Sequence, residues 1–223
     1  MAKLWNLGSD PDLAPNRDIA MPGETIPAMF WNAVAQRGDT TWLRQKHLGI
    51  WRSASWQQTG VAVGEIAAGL MSLGFAKGEC ASILANTVVE WVWTDLAVLS
   101  AAGVANGIYP TDASSQVQYL CEDSRTTVLF VEDDEQLDKA LEVRDQLPLL
   151  RKIVVFDMEG LSNLQDPGII SLDGLRALGR AYLAKQADAI KQRVAEVQPQ
   201  DLAILVYTSG TTPASLSEII TPE

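Results

Sequence analysis

Histidine is almost missing from this 223-residue chain: His47 stands alone. A Ser-His-Asp arrangement would have to use it, and a single histidine in a short strand-forming stretch reads as an ordinary strand residue. Cysteine is nearly as scarce. Cys80 and Cys121 are too few for a disulfide framework or a metal knuckle. Each falls in an apolar-patterned segment where thiols are usually buried, so a reducing, cytoplasmic compartment is the expectation. Basic residues are in deficit, with 17 Lys and Arg against 28 Asp and Glu and a formal net charge of −11. Without a basic stripe there is no electrostatic footprint for nucleic acid. No stretch reaches the ~18 uncharged apolar residues of a spanning helix. The start, MAKLWNLGSDPD, has no sustained apolar core behind a basic tip. The expectation is a chain neither exported nor membrane-spanning, with peripheral membrane contact left open because that needs only a surface patch. Neither GxxxxGKS nor GxGxxG occurs; Gly60, Gly64 and Gly69 lie at other spacings in or beside a helix, which disfavours Walker-type and nicotinamide sites.

What is present is an alternation of strand and helix patterns. Residues 1–24, with Pro11, Pro15 and Pro22, read as an extended arm. A helix from about Ile26 to Gln36 follows, with Thr25 placed to cap it and Pro27 in its first turn. Trp42–His47 and Ile50–Ser53 flank Leu48-Gly49 as a hairpin. A helix over about Trp56–Leu73 starts at Ser55, carries Val61, Ile66, Leu70 and Leu73, and stops at Gly74. Then come strand 80–85, helix 87–101 capped by Asn86, strand 104–109, helix 114–123 and strand 127–131. Strands separated by helices of this length predict an α/β fold: a mainly parallel sheet with right-handed βαβ crossovers and helices on both faces. Asp133, Asp134 and Glu135 open a further helix, where negative charge suits the N-terminal dipole, so the cluster reads as capping and not as catalysis. Ile153–Phe156 is a short strand, 158–168 a loop, 172–184 and 187–197 polar-faced helices, and Leu202–Val206 the last strand. Trp91 and Trp93 sit on so apolar a helix that core packing is favoured over an acyl pocket.

That last strand is apolar at every position, which suits a central strand covered on both faces. It opens into Tyr207-Thr208-Ser209-Gly210-Thr211-Thr212. Ligands of open α/β sheets bind beyond the carboxyl ends of the strands, where this run would emerge. Gly210 permits torsions closed to other residues, and Thr208, Ser209, Thr211 and Thr212 add hydroxyl donors beside exposed backbone N–H groups, a suitable cradle for phosphate oxygens. Taken alone, the pentapeptide from Thr208 to Thr212 reads more readily as a polar turn after a strand.

The whole run, DLAILVYTSGTT, resembles the phosphate-binding motif of the adenylate-forming (AMP-binding) superfamily, and within it the long-chain acyl-CoA synthetases. Supporting blocks lie upstream in order, from Gly64 to Ser124 and from Thr126 to Val143, so the resemblance spans about Ile26 to Thr212. It implies that residues 25–212 are a partial N-terminal AMP-binding domain. It also implies a parent reaction in which a fatty carboxylate attacks ATP to give acyl-adenylate and diphosphate, after which the thiol of coenzyme A displaces AMP. Ser209, Gly210, Thr211 and Thr212 would hold the β- and γ-phosphates, and Thr208 matches a position that contacts Mg²⁺. A hydroxyl is a weak ligand, and Thr208 alone would not hold the ion.

The departure from the family is as informative as the match. After Thr212 the family continues Gly-x-Pro-Lys-Gly, whereas this chain reads Pro213-Ala214-Ser215-Leu216-Ser217. The lysine that would sit on phosphate oxygens is missing, and charge-assisted contacts are about twice as strong as neutral ones. The later family motifs, including the catalytic lysine, are absent too. The expectation is a fragment of a long-chain fatty acid-CoA ligase that is inactive alone, with 213–223 a divergent tail. Two other readings stay open: a non-catalytic, truncated α/β module, or part of another adenylate-forming enzyme such as a carrier-protein ligase. Partners are then small molecules (fatty acid, ATP, coenzyme A), with self-association expected if the sheet is left uncovered. In the tail, Pro213 would begin a short helix carrying Leu216, Ile219 and Ile220.

Overall fold

The computed structural model describes residues 23–208 and the backbone of residues 217–220. Helix α1 (Ile26–Arg37) leads into a hairpin of β1 (Thr41–His47) and β2 (Ile50–Ser55), then α2 (Trp56–Ser72). The βα alternation follows as β3 (Cys80–Leu84), α3 (Val89–Ser100), β4 (Val104–Ile108), α4 (Ser114–Asp123), β5 (Thr126–Val131), α5 (Asp134–Val143) and β6 (Lys152–Val155). The chain continues through β7 (Ile169–Ser171), α6 (Leu172–Leu183), α7 (Ala189–Ala195), β8 (Ile204–Tyr207) and β9 (Ser217–Ile220).

Seven strands form one sheet in the order β7-β6-β5-β3-β4-β8-β9, parallel throughout except where β9 runs antiparallel to β8. The hairpin is a separate two-stranded sheet. Alternation along the buried strands divides the core into two layers. Ala81, Ile83, Val128, Phe130 and Val154 face Val63, Ile66 and Leu70 of α2, Ala97 and Val98 of α3, and Leu175 of α6. Leu84, Leu129, Val131, Ile153 and Val155 face Val117 and Leu120 of α4 and Leu137 and Ala140 of α5. Strand β5 is buried at all six positions, as a strand covered on both faces is, with Thr126 and Thr127 buried ahead of the apolar run over residues 128–131.

Local chemistry sets the element ends. Ser55 and Gln58 form a reciprocal capping box at the start of α2, Gln58 N–H donating to Ser55 Oγ (3.1 Å) and Ser55 N–H to Gln58 Oε1 (2.9 Å). Asp133 caps α5 by accepting from Gln136 N–H, as its acidic start predicts. Helix α6 crosses α2 closely: a Cβ built at Gly179 would lie 1.8 Å from Glu65 O, and one at Gly69 2.4 Å from Leu175 O. Glu65 also accepts from Arg176 Nε (2.8 Å) and Arg180 Nη1 (3.1 Å), pinning the same crossing from its rim.

Several expectations need correction. Asn86 does not cap α3, which starts at Val89 with Val88 as N-cap; Asn86 is drawn instead to the Glu132 carboxylate. Thr25 holds the N-cap position of α1 without a side-chain cap bond. Val61 is 53% exposed, so α2 buries Ala62, Val63, Ile66, Ala67 and Leu70. Strand β7 was not expected, because three residues between a loop and a helix carry too little periodicity. Residues 217–220 pair as strand β9 and do not form a helix, and the proposed cap at Thr212 and start at Pro213 lie outside the described residues. Strand β8 lies next to the antiparallel edge strand and is only half-buried, with Val206 exposed, so the sheet does not cover it on both faces.

Cys80 and Cys121 are buried free thiols, as expected. Burial pushes the Cys80 thiol up to about 11 and the Cys121 thiol up to about 12. Because the thiolate is the reactive form, neither should react with a disulfide reagent at pH 8 within minutes in the native protein. Thiol titration should give no rapid reaction before denaturant and two equivalents after it; fast native labelling would contradict this packing.

Candidate functional site

Parallel strands place all their carboxyl ends on one side of the sheet, and β3, β4 and β8 end together around a cleft of about 230 Å³. Ala85, Trp91, Asp95, Gly107, Tyr109 and Val206 are among its lining residues. Two contacts order the loops around it. Glu132, just past β5, accepts from Asn86 N–H (2.6 Å) and Asn86 Nδ2 (2.9 Å), tying the loop after β3 to the loop after β5. Lys139 of α5 donates to Pro110 O, holding the loop after β4, and pairs with Glu135 at 3.5 Å.

Asp95 is the cleft's titratable carboxyl. It sits on α3 four residues after Trp91, and burial raises its pKa to about 6. It is also the only charged residue between Trp91 and Ser100, a signal that sequence reasoning passed over. The described lining contains no Lys, Arg or His, so nothing in it offsets the charge of a phosphate.

Thr208 follows β8 directly and is exposed, just past the carboxyl end of that strand. Ser209, Gly210, Thr211 and Thr212 lie outside the described residues. Strand β8 is held in register by Ala105↔Ile204 and Asn106↔Leu205. Its last side chain is tethered across to α4, where Tyr207 Oη donates to Asp123 Oδ2 at 2.6 Å. Burial, then the neighbouring Asp123 carboxylate, raises the Tyr207 phenol well above its ordinary value. This tether was not foreseen, because Asp123 and Tyr207 are 84 residues apart and only the β4–β8 pairing brings them together.

Among the described residues no group of three or more His, Cys, Asp or Glu is arranged to hold a metal ion. Thr208 therefore has no described carboxylate set beside it, and these residues do not fit a protein-held Mg²⁺. Trp91 and Trp93 pack against the core as partly buried residues. His47 lies in β1 and is exposed, as an ordinary strand residue. No helix among the described residues is long and apolar enough to cross a membrane.

The same arrangement of strands and helices is found in known proteins. The anthranilate CoA ligase AuaEII, solved with anthranoyl-AMP, superposes with a TM-score of 0.69 at 22% identity over 88% of this chain and 34% of its own. A long-chain-fatty-acid-CoA ligase (FadD1) from Archaeoglobus fulgidus gives 0.63 at 19% identity over 82% of this chain and 34% of its own. These likenesses concern the fold. Among curated sequences, the long-chain-fatty-acid-CoA ligase ACSBG1 of Rattus norvegicus is 29% identical over 188 residues, 84% of this chain and 25% of the relative. ACSBG2 of Xenopus laevis is 29% identical over 214 residues, 94% of this chain and 28% of the relative. The chain thus spans about a quarter of the length of the relatives it matches. The pattern of the AMP-binding enzyme family runs across residues 30–214, through every strand that ends at the cleft, and the chain belongs to that family.

Proposed function

We propose that this chain carries the first part of the ATP-handling site of a long-chain fatty acid-CoA ligase and that, by itself, it does not form acyl-CoA. The observation that carries this reading is the position of Thr208, which follows the carboxyl end of β8 in a parallel sheet, beside the cleft between β4 and β8, with Ser209-Gly210-Thr211-Thr212 next in sequence. Thr208, Ser209, Gly210, Thr211 and Thr212 would contact the phosphates through hydroxyls and backbone N–H groups. Mg²⁺ would come with those phosphate oxygens, Thr208 being one weak contact. In the parent reaction ATP supplies the adenylyl group and coenzyme A the thiol acceptor.

Inactivity alone follows from charge. Transfer at a phosphate rests mostly on positioning and on offsetting charge. The residues after Thr212 read Pro-Ala-Ser-Leu-Ser without a lysine, and the cleft lining supplies no cation. Buried free thiols support a reducing, cytoplasmic setting. The test is fatty-acid-dependent exchange of labelled diphosphate into ATP by the purified chain. No exchange above background is expected with palmitate, ATP and Mg²⁺; measurable exchange would show that the described groups suffice for adenylation.

A further inference from the structure

The β1–β2 hairpin is a second, small sheet whose tip the ligase reading does not use. Its turn residues, Leu48 (φ 47°) and Gly49 (φ 82°), have the left-handed conformations that two-residue hairpins require. Three large apolar side chains crowd this tip and point away from the core: Leu48 is 88% exposed, Ile50 68% and Trp51 57%. Arg44 and Lys46 lie beside Trp51, while Arg52 pairs with Gln45 on the other face, and no Asp or Glu occurs from Thr40 to Ser55. In a chain of net charge −11, that is a local reversal of sign.

The register makes the tip amphipathic. Lys46 pairs with Trp51 across the strands, and the Arg44 guanidinium lies 5.3 Å from the Trp51 ring centre, so one face presents an indole flanked by two cations. On the opposite face Gln45 Oε1 accepts from Val89 N–H at 2.6 Å, fixing the hairpin against the start of α3.

We propose that this hairpin tip docks on an anionic lipid bilayer, with Leu48, Ile50 and Trp51 entering the interfacial zone and Arg44 and Lys46 meeting headgroup phosphates. Indole rings and short apolar side chains partition into that zone, and neighbouring cations add attraction to acidic lipid. An indole flanked by two cations, on a hairpin free of acidic residues, matches phosphates better than a protein surface of mixed charge. Repulsion from the acidic remainder is screened beyond ~8 Å at physiological salt. The inference rests on the hairpin alone and stands or falls independently of the ligase reading.

The test is co-sedimentation of the full chain with vesicles of phosphatidylcholine, or of phosphatidylcholine and phosphatidylserine at a ratio of about 3:1, at low and high salt. Binding is expected to the serine-containing vesicles and to weaken as salt rises. Each cation near the surface contributes about fivefold to partitioning, so Arg44→Gln/Lys46→Gln should lower it roughly 25-fold. Leu48→Asn/Trp51→Thr should also abolish most binding. Asparagine suits the left-handed turn position and threonine suits a strand, so its circular dichroism and melting temperature should stay as in the parent. No vesicle binding, or binding that both variants retain, would overturn the proposal. So would a shift in gel-filtration elution caused by Leu48→Asn/Trp51→Thr without any vesicle binding, which would mark the tip as a protein contact.

Discussion

Replacing Gly179 by alanine is expected to lower the melting temperature by roughly 6–12 °C, although alanine is the better helix former. In an exposed helix interior, Gly→Ala stabilises by about 1 kcal/mol. Here the new Cβ would sit 1.8 Å from the carbonyl oxygen of Glu65 and 2.9 Å from Gly69 N, both backbone atoms of the facing helix. A flexible side chain could move aside, but two packed helices have to separate. Overpacking of this kind costs about 3 kcal/mol or more, and each kcal/mol moves the melting temperature of a domain this size by about 2–4 °C. Separation would also stretch the bonds from Arg176 and Arg180 to Glu65. Thermal unfolding of Gly179→Ala beside the surface control Gln186→Ala decides it. A change for Gly179→Ala as small as that of the control would mean that α2 and α6 do not cross this closely.

The second large effect is expected at Asp95, where Asp95→Asn should stabilise the protein at pH 7.5 and have almost no effect near pH 4. Burial raises the folded-state pKa to about 6 from the ordinary 3.8. Between those values the folded chain holds a proton that the unfolded chain has released, so folding loses stability as pH rises through that window. Above about pH 6 the full penalty applies. A rise of this size corresponds to at most about 3 kcal/mol, reduced to the extent that water reaches the cleft. Asparagine occupies the same volume without the charge. The readout is the difference in urea-unfolding free energy between Asp95→Asn and the parent at pH 4, 6 and 7.5, which cancels the titration of the other acids. A gain of equal size at every pH would place its cause outside ionisation. A loss at pH 7.5 would mean that the carboxylate has a stabilising contact.

Much of the architecture was legible because local rules and tertiary packing agree there. The largely apolar runs of β3 and β5, the Ser55 cap of α2, the Leu48-Gly49 turn and the acidic start of α5 are each set by residues close in sequence. Misreadings fall where a distant partner outbids a near one. Asn86 looks like a cap until Glu132, 46 residues on, takes both its side-chain and backbone N–H groups. Leu216, Ile219 and Ile220 at helical spacing suggest one apolar helix face, but Ile219 and Ile220 pair with Leu205 and Ile204 across a strand edge. Three-residue β7 has no periodicity of its own and exists through its pairing with β6.

The candidate site divides along the same line. By itself the sequence determined the family, the alternating α/β order, the hydroxyl-rich run that follows the last parallel strand, and the missing lysine beyond it, because these depend on residue types in fixed local order. Only the tertiary structure decided that β8 lies beside β4 and near the sheet's edge, that Tyr207 reaches Asp123, and that Asp95 lines a cleft at the strand ends. The physical reason is that strand order and burial are set by hydrogen bonds and packing between segments far apart in the chain, and no local pattern encodes which distant segment will be the neighbour.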